Sequence, residues 1–143
     1  MKVTAAVVTI AMAATIVLWC SALRAQQHST LDGVYTEAQA ARGLQIYGQS
    51  CSSCHGPSLM GDDAASPLAG GQFFSSWVDT GVGELAERIR TSMPANNPGS
   101  LSRQQTADVL AYILSFNKYP VGNAELPSQT DLLNQIKIRP PEP

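Results

Sequence analysis

A chain of 143 residues, 44% hydrophobic and only 6% aromatic, is sized for one domain with a modest core of its own. Its formal net charge is −2, and setting aside Lys2 and Arg24 with the N-terminal segment leaves seven basic against eleven acidic side chains, a net of −4. Nucleic-acid binders carry a basic patch, and this balance excludes that class of partner.

The first 25 residues stand apart from the rest. Lys2 gives a short positive start, Val3 to Trp19 is an uncharged apolar run, and Ser21-Ala22-Leu23-Arg24-Ala25 offers small residues at a cleavage point. This is a secretory signal pattern. The run also reaches the lower limit of a membrane span, so it reads as a signal cleaved near Ala22 or Ala25, or as a retained anchor. Either reading exports the chain from Gln27 onward and places it, in a bacterium, in the periplasm. Cys20 follows the bulky Trp19 where a lipoprotein signal needs a small residue, and it is assigned to the signal.

Residues 26–35 are polar and predict a flexible lead. A domain follows over 36–126. Thr36-Glu37-Ala38-Gln39 predicts a capped helix start, with Ala40, Gly43, Leu44, Tyr47 and Cys51 on one face. Gly43 inside that face costs a helix about 1 kcal/mol against Ala, which points to another helix crossing tightly there. From His55 to Thr80 the sequence is rich in Gly, Pro, Ser and Asp and predicts a long loop, of a length that wraps something. A second helix is expected from Val82 to Ser92, with Leu85, Ile89 and Ser92 on one side and Pro94 as its stop. Ser102-Arg103-Gln104-Gln105 caps a third. That helix is apolar along two stripes, Ala107, Leu110, Ala111 and Leu114, then Val109, Tyr112, Ile113 and Phe116, so it is sandwiched between two partners. Residues 127–143 form an extension in which Ser128 and Asp131 start a short last helix. The whole reads as all-α.

Cys51-Ser52-Ser53-Cys54-His55 carries the chemistry. C-x-x-C-H is the attachment pattern for c-type haem. Two thiols add across the two vinyl groups of one porphyrin, and the adjacent imidazole is delivered beneath the iron. A redox dithiol normally starts a helix beside a βαβ unit, whereas this pair ends a helix in a chain without strand patterns. A structural zinc site needs four ligands, and the fourth would have to be His28 in the loose lead. A disulfide across two intervening residues would be strained and leaves His55 unexplained.

A thioether with an imidazole is the axial pair that raises the potential of cytochromes c. The chain beyond the signal offers Met60 and Met93. Met60, five residues past His55, is tied to the proximal side; Met93, thirty-eight residues on, has the chain length to reach the opposite face and is the candidate ligand. Leu59, Leu68, Phe73, Phe74, Trp77, Leu85, Ile89, Leu101 and Leu110 are candidates to line the haem or to serve simply as core. The Trp77 N–H needs a partner if buried, and a propionate or another acceptor would serve. Arg88 and Arg90 are suited either to a propionate or to an exposed helix face.

From about Thr36 to Leu126 the chain resembles class I cytochrome c: a cytochrome c fold, a small helical bundle wrapped around one covalent haem. Met93-Pro94, Pro98-Gly99-Ser100-Leu101 and Ala107-Asp108-Val109-Leu110-Ala111-Tyr112-Ile113-Leu114 are similar to monohaem cytochromes associated with bacterial quinoprotein dehydrogenases. The resemblance implies that Gly43 and Tyr47 pack against the helix bearing Tyr112. It also implies that the Pro67 carbonyl accepts a hydrogen bond from the second ring nitrogen of His55. The lysine-rich docking face of mitochondrial relatives is missing. The function implied is one-electron transfer between redox protein partners, a dehydrogenase donor and an oxidase or cytochrome acceptor. A haem enzyme or ligand sensor with a labile sixth ligand is the competing reading; peroxidase chemistry wants an acid–base residue near the open site, and His28 is the only other histidine.

Overall fold

The computed structural model describes residues 28–63 and 65–141; the signal or anchor segment lies outside the described residues. Thr36 opens helix α1 (Glu37–Ser50), its Oγ1 accepting the Gln39 N–H at 3.1 Å. The expected reciprocal half of that cap is not formed. The Gln39 amide is instead fully buried, donating to the Leu126 carbonyl at 3.1 Å and accepting the Leu126 N–H at 2.8 Å, so it clamps a distant loop. Ala40, Gly43 and Tyr47 are buried as expected, but Leu44 is 46% exposed. The contact is centred on Gly43, and one residue turns the helix by about 100°, which carries Leu44 to the rim.

A single turn, α2 (Ser52–His55), follows directly. The wrapping segment is not all loop: Gly70–Trp77 forms helix α3. Gly70 and Gly71 at its start hide it from a propensity reading, but Phe73 and Trp77, four residues apart, give it an apolar side, with Phe73 fully buried. Helix α4 (Val82–Ser92) matches the expected bounds and buries Leu85 and Ile89. The Glu84 carboxylate accepts the Gly81 N–H at its start. Helix α5 (Arg103–Phe116) begins with the full cap: the Ser102 hydroxyl accepts the Gln105 N–H, and the Gln105 side chain accepts the Ser102 N–H. Its middle, Thr106 to Ala111 with Ile113 and Leu114, is buried on every side, as a sandwiched helix must be.

α1 and α5 cross in close contact and form the frame. A Cβ at Gly43 would lie 1.8 Å from the Asp108 carbonyl oxygen. The Tyr47 and Tyr112 rings pack beside it, tilted, with centroids 5.1 Å apart. On the rim, the Arg42 guanidinium grips the Asp108 carboxylate with two bonds and Glu125 with a third.

Two segments far apart in sequence, 28–35 and 130–139, pack together. The segment 28–35, expected as a flexible lead, is docked instead. His28–Ser29 (β1) pairs in parallel with Ile136–Lys137 (β2), beyond the short helix α6 (Thr130–Leu133) of the extension. Thr30 is fully buried and exchanges two hydrogen bonds with the Arg139 backbone. The buried Tyr35 hydroxyl donates to the Tyr119 carbonyl at 2.7 Å. Local bonds cap the turn, Ser29 N–H to the Asp32 carboxylate and Leu31 N–H to the Ser29 hydroxyl, but the docking itself rests on partners far along the chain, a pairing no local pattern announces. These two-residue strands leave the described chain essentially all-α.

Candidate haem site

Cys51 ends α1 and begins α2, its N–H bonded to the Tyr47 carbonyl. The turn that follows is helical: the N–H groups of Cys54 and His55 both reach the Cys51 carbonyl, at 3.1 and 2.9 Å. Residues three and four apart share a helix face, so the two sulfurs and the imidazole leave the backbone on one side. Both thiols are free, Cys51 half-buried and Cys54 exposed. Burial, with a smaller contribution from Cys54, pushes the Cys51 thiol up to about 11. A dithiol exchanger works through a thiolate, and burial here opposes one.

His55 is buried, and its Nδ1 stands 2.9 Å from a backbone carbonyl. That carbonyl belongs to Ser66, one residue before the expected Pro67. The residue before a proline is held extended, and successive carbonyls of an extended segment point to different sides, so only one of the two neighbours faces the ring. A carbonyl only accepts, so Nδ1 carries the hydrogen and Nε2 keeps the lone pair a metal needs. The backbone around the ring is fastened too. The Gly61 N–H bonds to the His55 carbonyl at 3.0 Å, the Leu68 N–H to the Leu59 carbonyl at 2.7 Å, and the Tyr47 hydroxyl to the Gly56 carbonyl at 2.5 Å.

Met93 ends α4, partly buried and packed against the core, while Met60 is 55% exposed. Of the candidate lining residues, Leu59, Phe73, Leu85, Ile89, Leu101 and Leu110 are buried; Leu68, Phe74 and Trp77 are partly buried against them. Arg90 is paired with Glu87 through two hydrogen bonds, and Arg88 is exposed. His28 lies in β1 at the chain-end pairing, and among the described residues no group of three or more His, Cys, Asp or Glu converges to hold a zinc ion. Two free thiols and an imidazole offering Nε2, raised on one helical turn, are the donor set a covalent haem requires, and the residues present fit it.

Sequence reading missed two contributors. Ser66 acts through its backbone, which side-chain chemistry does not advertise. Asn117, just beyond α5, reads only as a helix end, yet it bonds to the segment that carries the Ser66 carbonyl.

The family model described as cytochrome c oxidase, cbb3-type, subunit III matches residues 38–113, from the first turn of α1 into the last turn of α5. No curated protein and no solved structure matches the chain. Among the described residues no helix is long and apolar enough to cross a membrane. The matched span holds the helix crossing, the C-x-x-C-H turn and the Met93 segment together, and the chain therefore belongs to this family of cytochrome c domains, which carry a covalent c-type haem and exchange electrons with protein partners.

Proposed function

We propose that this protein is an exported one-electron carrier whose single haem is held by Cys51 and Cys54, with His55 and Met93 as the axial ligands. The observation that carries the reading is the contrast between its two methionines: Met93 is turned into the core at the end of α4, while Met60 is largely exposed. The haem, when bound, supplies an iron that changes oxidation state by one electron. The protein's own work is to fix the ligands, bury the ring and present one edge to its partners. His55 is oriented by the Ser66 carbonyl. With the haem bound, Met93 would take the face away from His55, which would keep substrates from the metal and separate a carrier from a peroxidase or sensor. Trp77, half-buried at the end of α3, is the proposed donor to a propionate.

The proposed route runs from a periplasmic dehydrogenase, such as a quinoprotein, to a respiratory acceptor. The family's description names an oxidase, which makes a terminal oxidase one such acceptor. The test is rapid mixing of the ferric holoprotein with cyanide and with peroxide, beside a redox titration. A carrier gives a one-electron titration and reacts slowly or not at all with either ligand. Fast binding of both contradicts the proposal and favours the enzyme or sensor reading.

A further inference from the structure

The segment Ser66 to Gly70 passes between the haem-attachment turn and α5 and is fastened on both sides. Towards the turn, the Ser66 carbonyl accepts from His55 Nδ1 at 2.9 Å, and the Leu68 N–H donates to the Leu59 carbonyl at 2.7 Å. Towards the end of α5, one side chain bonds to the segment twice. Asn117 Nδ2 donates to the Leu68 carbonyl at 2.9 Å, and its Oδ1 accepts the Gly70 N–H at 3.1 Å. Nδ2 also donates to the Ile113 carbonyl at 2.9 Å in the last turn of α5. Asn117 is 6% exposed. Each of its polar atoms meets a backbone group of the opposite sense, so the amide orientation is fixed by its partners.

We propose that Asn117 is a positioning residue for the haem iron: it holds the Leu68–Gly70 backbone against α5, and thereby holds the Ser66 carbonyl at bonding distance from His55. The inference rests on the reading of His55 as an axial ligand. A short side chain such as Ala or Ser would leave the Leu68 carbonyl and the Gly70 N–H, both partly buried, without these bonds, and the segment would shift to recover partners. Leu68 is the hinge, since its N–H faces the Leu59 carbonyl and its own carbonyl faces Asn117; movement on one side is passed to the other. A carbonyl drawn towards Nδ1–H raises the basicity of the ligating nitrogen and favours the ferric state. Loosening it therefore weakens the donor and raises the reduction potential. No charge or titration is involved, so the effect is independent of pH near neutrality.

The test uses full-length holoprotein in four forms: wild type, Asn117→Ala, Asn117→Gln and Thr30→Val. Thr30→Val is the matched control, since it also removes two hydrogen bonds from a buried side chain to the backbone, but at the β1–β2 pairing. Reduction potential is measured for each, with the His55 Nδ1–H resonance and its exchange rate by proton NMR. The expected result is an upward shift of potential and several-fold faster Nδ1–H exchange in Asn117→Ala, smaller changes in the same direction in Asn117→Gln, and neither change in Thr30→Val. If Asn117→Ala loses its haem environment altogether, the Gln variant carries the same comparison. Loss of stability in the Asn117 variants, with potential and exchange matching Thr30→Val, overturns the proposal. A wild-type spectrum without a coordinated histidine overturns the ligand reading instead, and is seen before any variant is compared.

Discussion

Gly43 lies directly against the backbone carbonyl of Asp108: a Cβ there would sit 1.8 Å from the oxygen and 2.9 Å from the Tyr112 Cβ. Backbone cannot rotate away as a side chain can, so α1 and α5 would have to part. Gly43→Ala is expected to lower stability by about 1–3 kcal/mol or more, despite the helix propensity it gains. Gly48 in the same helix has open space around its Cβ position, and Gly48→Ala is expected to stabilise by about 0.5–1 kcal/mol. Denaturant unfolding of the two holoproteins checks the pair. Equal effects at both positions would remove the crossing as the reason for Gly43.

Gln39 joins α1 to Leu126 through both atoms of its amide. Gln39→Leu fills the volume but leaves the Leu126 N–H and carbonyl without these bonds. The expected loss is about 1–3 kcal/mol, the cost of unmet buried polar groups, read as a lower denaturation midpoint with an unchanged slope.

Burial raises all four tyrosines above their ordinary value near 10, Tyr47 to about 12, where Tyr112 and, while its thiol is free, Cys51 add to it. Folding thus holds the phenols protonated, and the unfolded chain releases these protons first as pH rises. Their contribution to stability is present below the ordinary tyrosine value and is lost as pH climbs through the raised folded values, about 12 for Tyr47. A tyrosinate absorbance titration of the folded protein should show ionisation displaced to higher pH than in the unfolded chain, with its main rise coincident with loss of helix. Early, independent ionisation of the tyrosines would contradict their burial.

The helices with clear periodicity or caps, α1, α4 and α5, were legible from the sequence, because local signals and tertiary packing agree there. Helix α3 was not, since its two leading glycines speak against a helix while the apolar pair Phe73 and Trp77 speaks for one. The docked lead was hidden for a different reason: Thr30 and Tyr35 look polar or mixed locally, and only partners some 80 to 110 residues away make them core. Spacing placed Cys51, Cys54 and His55 on one turn. The family resemblance implied Pro67 and was off by one residue, since the choice between neighbouring carbonyls depends on how the segment is held, and Asn117 bonds to it from outside the motif.

The central claim is the pairing of His55 with Met93, and the direct measurement is the ferric spectrum of wild type, Met93→Ala and Met60→Ala. Ligation by Met93 predicts a low-spin ferric protein with the weak near-infrared charge-transfer band of an iron–thioether bond. In Met93→Ala that band disappears, the reduction potential falls and cyanide binds readily; Met60→Ala leaves all three as in wild type. A band that survives in Met93→Ala, or one already absent from the wild-type protein, contradicts the account.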